Sequence, residues 1–203
     1  VTSRIGAVRE AMERTGHPAL LMVDTISGLA CADYRHDEWG VDVTISGSQK
    51  GLMLPPGLGF NCVSRKALEA HETSAFNKSY WDWSAMLGNN ASGYFPYTPA
   101  TNLLYGLDEA LKLLLDEEGL EHVFERHLRH AKATRMAVAH WGLETQCLVE
   151  AEHSPVLTGV VVPEGHNADA VRNIILEKFD MSLGTGLGKV KGRMFRIGHL
   201  GDL

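Results

Sequence analysis

Val23-Asp24-Thr25-Ile26-Ser27, Trp39-Gly40-Val41-Asp42-Val43, Ser46-Gly47-Ser48-Gln49-Lys50-Gly51 and Pro55-Pro56-Gly57-Leu58 follow one another in a chain of 203 residues, and their order decides the fold. The apolar run from Ala19 to Val23 reads as a strand buried on both faces, with Asp24 at its carboxyl end. Val41 to Ser46 reads as a second short strand, and a loop of small residues after it presents Lys50. Ligands of open α/β sheets gather at the carboxyl ends of the strands. A lysine amine there can condense with an aldehyde, and a carboxylate there can keep a ring nitrogen protonated.

Working outward, Ser3 to Thr15 places Ile5, Val8 and Met12 on one helical face before Gly16-His17-Pro18. Asp33 to Gly40 reads as polar loop and Gly59 to Val63 as a strand. Ser64 to Glu72 reads as a helix capped by Ser64. Thr73 to Tyr97 is rich in aromatics without clear periodicity and reads as irregular loop. Thr98 to Trp141 reads as long helix broken near Gly119. From Gly142 onward the pattern is βαβ-like: strand Val156 to Val162, helix Ala168 to Lys178, strand Arg193 to Gly198. The expected class is α/β, with residues 1–141 in the larger domain and 142–203 in a smaller C-terminal α+β lobe.

The composition excludes several classes. A net charge of −6 with no basic patch argues against nucleic acid as a partner. No apolar run approaches the ~18 residues of a membrane helix. Cys31, Cys62 and Cys147 are far apart, so neither a disulfide framework nor a zinc ribbon is expected, and a reducing compartment is. Bacterial cytoplasm is the default expectation.

The quoted stretch, together with FPYTPATNLLYGLDEAL and GLGKVKGRMFRIGHLG, resembles class V, fold-type I aminotransferases that use pyridoxal 5′-phosphate (PLP), nearest the serine–glyoxylate and alanine–glyoxylate branch. The resemblance runs over essentially the whole chain, whose family members are considerably longer, so an internal fragment is expected. It implies part of the family's large-domain mixed sheet with flanking helices. It implies amino transfer from L-serine or L-alanine to glyoxylate, and a homodimer whose site is shared across the interface. The peroxisome is the implied compartment in a eukaryote. Rival expectations are another class V reaction, such as ureidoglycine–glyoxylate transamination, or a catalytically incomplete piece of the fold.

On this resemblance Lys50 joins the cofactor and moves the proton at the substrate alpha carbon. The bland alternative is a solvated surface lysine. Asp24 bonds the pyridinium nitrogen, or else merely caps a turn. Ile26 packs on the ring if the strand continues past Asp24, or else is plain core. Gln49 bonds the phosphate; it replaces the histidine usual in cysteine desulfurases of the same fold type, which favours the aminotransferase branch. Thr98, with Tyr97 beside it, contacts the phosphate across the interface, although Phe95 stands where some relatives have tyrosine. Arg196, between Phe195 and Ile197, grips the substrate carboxylate, or else forms a structural ion pair.

Other signals are set aside. Gly184-Thr185-Gly186-Leu187-Gly188 lacks the strand-to-helix context of a dinucleotide loop and reads as a flexible substrate-side loop. His122, His127 and His130 read as a solvated helix face rather than a metal site. Cys31 reads as a packed thiol. His36 and His199 are left open.

Overall fold

The computed structural model describes residues 1–202. Helix α1 (Ile5–Arg14) leads into a first sheet of three strands, β1 (Met22–Asp24), β2 (Val43–Gly47) and β3 (Gly59–Val63), in the order β1-β2-β3. β1 and β2 are parallel, in register from Met22 opposite Val43 to Asp24 opposite Ile45; β3 runs antiparallel to β2. The carboxyl ends of β1 and β2 therefore meet at one margin, and the lysine loop leaves from that margin.

The sheet corrects one expectation. The Ala19–Val23 run is not buried on both faces: Leu21 and Val23 are buried, but Met22 is 59% exposed. The cause is that packing covers only the Leu21 and Val23 face among the described residues. Ile5 and Met12 of α1, with Tyr34 and Trp39, pack against Leu21, Val23 and Val41 and cover just one face.

Asp42, buried at the start of β2, ties this unit together. Its carboxylate accepts from the Leu21 amide (2.7 Å), from the Arg9 guanidinium (2.7 Å) and from Ser64 Oγ (3.2 Å). Burial alone would raise its pKa, but the Leu21 amide and the Arg9 cation outweigh burial and hold the carboxyl below its ordinary value.

Helix α2 (Arg65–Thr73) begins at Ser64, whose hydroxyl accepts from the Ala67 amide as the sequence suggests. The aromatic stretch is less irregular than expected, because Trp83–Asn90 form helix α3. Asp82 caps it, accepting from the Ser84 and Ala85 amides. Helix α4 (Thr101–Leu111) continues into a π-helical turn at Lys112–Glu117. Gly119, at φ +83°, breaks the helix there, and α5 (Leu120–His140) follows.

At 1.5 Å per residue α5 is about 30 Å long, and it serves both halves of the molecule. Its buried Val123 packs with Leu52, Leu54, Ala110 and Leu114 beneath the lysine loop. Its buried Val138 packs with Val160, Val162, Ala168, Leu183 and Phe195 of the second half. Burying each such valine contributes about 1.5–3 kcal/mol.

The second half carries β4 (Glu144–Thr145), β5 (Leu157–Val161), α6 (Ala168–Phe179), β6 (Gly184–Thr185) and β7 (Met194–Gly198). Its sheet has the order β4-β5-β7-β6 and is antiparallel throughout. The strand-helix-strand order is thus present without the parallel pairing of a βαβ unit. Asn167 caps α6 through the Asp169 and Ala170 amides, and Asp180, in the left-handed conformation, ends it. The expected Ala168–Lys178 helix and Arg193–Gly198 strand are each found to within one residue.

Candidate active site

The lysine loop is built by Ser48. Its side chain is fully buried; its hydroxyl donates to the Pro55 carbonyl (2.8 Å) and accepts from the Leu58 amide (3.2 Å). The Ser48 backbone accepts from the Leu54 amide and donates to the Leu58 carbonyl. Residues 48–58 are thus closed on themselves, and Lys50 projects from the closed turn. Nearby, the chain after β1 folds into a turn of its own, with the Gly28 and Leu29 amides bonded to the Thr25 carbonyl. The two turns meet at Gly51, where a Cβ would lie 2.1 Å from the Leu29 carbonyl oxygen and 2.7 Å from Cys31 Sγ. Only glycine fits there.

Lys50 is half-buried, and its Nζ has one polar neighbour among the described residues, Ser27 Oγ at 3.5 Å. No carboxylate among the described residues forms an ion pair with it. Asp24 is exposed at the end of β1. Its Oδ1 accepts from the Ile26 amide (2.8 Å), the turn-capping bond, while Oδ2 bonds to no described residue. That bond bends the backbone, so the strand stops at Asp24. Ile26 is then half-buried in the turn and does not sit on Asp24's side by strand alternation, which removes the geometric basis for its expected place. Gln49 is exposed and folds back over Gly47, where a Cβ would lie 2.8 Å from Gln49 Oε1. A cleft of about 650 Å³ between α1, β1 and residues 154–156 includes Asp24 and Ser27 but not Lys50.

Arg196 lies apart, on β7. Its Nε donates to the Thr185 carbonyl (2.8 Å), and no carboxylate pairs with it among the described residues. Gly184 lies opposite it, with a Cβ position only 3.2 Å from Arg196 Nε. The glycine-rich segment is therefore not simply a flexible loop. Its first two residues are β6, and they aim the arginine. No hydrogen bond or ion pair joins Arg196 to Lys50, Asp24 or Gln49 among the described residues. Thr98 and Tyr97 are exposed in the segment before α4; Tyr97 stacks on Tyr80 with ring centroids 5.0 Å apart.

The histidines divide. His122 is exposed, as expected of a solvated face. His127 is not: it is 1% exposed and donates from Nδ1 to the Val123 carbonyl (2.7 Å). The buried stripe Val123, His127, Ala131 and Val138 runs at helical spacing and explains the miss, since the three histidines taken together obscure it. His36 Nδ1 bonds Thr44 Oγ1 (2.7 Å), and buried His199 bonds Thr158 Oγ1 (2.9 Å) and the Pro155 carbonyl (3.0 Å). Neither joins Lys50. No group of three or more potential metal-ligating His, Cys, Asp or Glu side chains occurs among the described residues, and no helix there is long and apolar enough to cross a membrane. Cys31 is fully buried, and burial pushes its thiol up to about 11, consistent with a packed side chain.

Comparison with known proteins fits this arrangement. The model of the aminotransferase class-V family matches residues 3–193. A serine–glyoxylate aminotransferase of Methylorubrum extorquens is 49% identical over all of this chain and 52% of its own length. An L-aspartate–glyoxylate aminotransferase of Paracoccus denitrificans is 47% identical over all of this chain and 51% of its own. Among solved structures, pyridoxamine–pyruvate aminotransferase from Mesorhizobium loti superposes with a TM-score of 0.88 at 31% identity, over 98% of this chain and 50% of that one. The chain thus spans about half the length of the relatives it matches.

Proposed function

The chain belongs to the class V aminotransferase family, and from that premise we propose that its protein transfers the amino group of L-serine to glyoxylate, giving hydroxypyruvate and glycine, with PLP as cofactor. The observation that carries the proposal is Lys50: a half-buried amine with no carboxylate partner among the described residues, held by a closed turn at the shared margin of two parallel strands, with the open Oδ2 of Asp24 on the neighbouring strand end. The residues present fit the cofactor. Lys50 would supply the amine for its aldehyde, Asp24 Oδ2 an acceptor for its ring nitrogen, and Gln49 and Thr98 exposed donors for its phosphate, with Tyr97 beside Thr98. Ile26 remains a candidate for the ring face from its place in the turn.

When bound, PLP supplies an electron sink for the bond being broken at the substrate alpha carbon. The rest belongs to the chain. Lys50 Nζ holds and returns the proton at that carbon. Arg196 offers a planar fork to the substrate carboxylate, and with no acidic partner among the described residues that fork is open. Glyoxylate has little else to recognise, so Arg196 dominates its binding. Serine as donor and glyoxylate as acceptor are supported by serine–glyoxylate aminotransferases from three organisms at 45–49% identity.

We assign residues 1–141 to the cofactor-binding part and 142–203 to a smaller lobe. We also propose a homodimer, supported by the exposed Trp81 (74%), Tyr94 (70%) and Tyr105 (76%) around the segment that carries Thr98. The cytoplasm is the proposed compartment, supported by three cysteines that form no disulfide.

The test is borohydride reduction in the presence of PLP with peptide mapping, on the protein and on Lys50→Ala, then a panel of serine, alanine, aspartate and ureidoglycine with glyoxylate. A single adduct on Lys50 and fastest turnover with serine are expected. Labelling that is scattered and equal in both proteins would overturn the cofactor site. Faster turnover of aspartate would overturn the choice of donor.

A further inference from the structure

Lys50 and Arg196 stand on different sheets with no direct bond between them, yet both are tied to one point in the chain, Gly201. Gly201 follows Arg196 by five residues, just beyond the end of β7. Its φ of +100° suits glycine, and its amide donates to His127 Nε2 (3.3 Å). Its carbonyl accepts from the Arg126 guanidinium. Arg126 is itself fixed by a two-pronged pair with Glu118, at 2.7 and 2.8 Å. On its other side Gly201 faces the lysine loop, where a Cβ built on it would lie in van der Waals contact with Met53 Cγ at 4.0 Å, and its backbone is near enough to the Cys31 thiol to favour the thiolate. Cys31 abuts Gly51, next to Lys50, and Met53 belongs to the lysine loop.

The tautomer of His127 follows from its two partners. Nδ1 lies 2.7 Å from the Val123 carbonyl and must carry the proton, so Nε2 is the acceptor that the Gly201 amide needs. The Gly201 amide is half-buried, so losing this acceptor leaves it only partly compensated by water. The ring therefore contributes little chemistry of its own and a large constraint on where the segment after β7 lies.

We propose that His127 is a positioning residue: by accepting the Gly201 amide it clamps the end of β7 against the lysine loop and so sets the place of Arg196 relative to Lys50. This rests on the transaminase reading above and assigns it a residue that touches neither substrate nor cofactor. Rigid packing on both sides makes the clamp a mechanical link, because close-packed interiors transmit displacement.

The test compares His127→Asn, His127→Leu and His127→Gln in the full-length protein. An asparagine amide retains the reach to Val123 but falls short of Gly201, a leucine removes both bonds, and a glutamine oxygen reaches Gly201. Two quantities are read: deuterium uptake of the segment around Gly201 without substrates, and steady-state constants for serine and glyoxylate. The Asn and Leu variants should exchange that segment about tenfold faster and raise KM for both substrates about tenfold, with kcat changed less; Gln should restore both within about threefold. If Leu does not fold, Asn carries the comparison.

Unchanged uptake in a folded Asn variant overturns the clamp. Faster uptake with unchanged KM overturns its role in placing Arg196, as does equal loss of kcat and kcat/KM that Gln does not rescue. A wild type that turns over no donor of the panel overturns the transaminase reading, and the positioning role with it, whatever the uptake shows.

Discussion

Gly51 lies against Cys31 so closely that a single added carbon would sit 2.7 Å from the thiol sulfur. The turn that bears Lys50 and the turn that follows Asp24 thus share one contact, and that contact has no spare volume. Gly51→Ala should force the turns apart. Overpacking of this kind costs about 1–3 kcal/mol, and the adduct on Lys50 should fall while the unmodified protein still folds. Thermal denaturation and peptide mapping read the two effects separately; an alanine variant with wild-type labelling and melting would refute the close contact.

Arg196→Ala should raise KM for serine and glyoxylate by roughly a hundredfold, the value of a two-pronged charged bond. Cofactor trapping at Lys50 should persist, because the arginine is bonded to Thr185 and not to the lysine loop. Arg196→Lys should recover only part of the loss, since an ammonium cannot present a fork. Unchanged KM values in Arg196→Ala would remove Arg196 from the substrate site.

Asp42→Ala should be among the most damaging changes outside the active site. It leaves the Arg9 guanidinium, whose side chain is 15% exposed, facing an empty site, and strips the Leu21 amide of its acceptor. Breaking a buried pair from one side costs about 3–5 kcal/mol. Chemical denaturation should show a lower midpoint with an unchanged slope. Arg9→Met with Asp42→Ala should be less harmful than Asp42→Ala alone, as the stranded charge is then gone.

Stability should fall as pH drops below about 7. Burial pushes His127 and His199 below the ordinary imidazole pKa, and it outweighs the opposing hydrogen bonds to the Val123 carbonyl at His127 and the Pro155 carbonyl at His199; Arg126 and His130 add to the first shift, Arg135 and His127 to the second, and Glu118 opposes at His127. The unfolded chain therefore takes up protons on these rings near about pH 6.5, where the folded protein does not. Folding weakens as pH falls through that value and levels off below the folded pKa values. Melting temperatures between about pH 7.5 and 5 should decline by about 2–4 °C per kcal/mol lost, and His127→Gln should flatten the decline.

The positions of Asp24, Lys50 and Arg196 on their elements were legible in the sequence because local pattern places them: a strand end, a small-residue turn, the middle of a short strand. The helix Trp83–Asn90 was hidden because its aromatic surroundings are exposed and leave no apolar stripe; Asp82 was its one visible signal. The burial of β1 was misread, because an apolar run does not reveal how many faces of its strand are covered. His127 was readable from its spacing with Val123 and Ala131. Its bond to Gly201, 74 residues away, was not, since no local periodicity encodes a contact of that range.

Among the described residues β1 is paired along one side only. On its other side stand backbone donors and acceptors with an exposed Met22 between them. Such a margin accepts any extended segment that comes within reach, its own copies included. For these residues taken by themselves, concentration then becomes a chemical variable: dilute preparations should stay dispersed, concentrated ones should clump by strand-to-strand pairing, and a lysine in place of Met22 should delay the onset, whereas in a longer chain a further strand of its own would take that margin first.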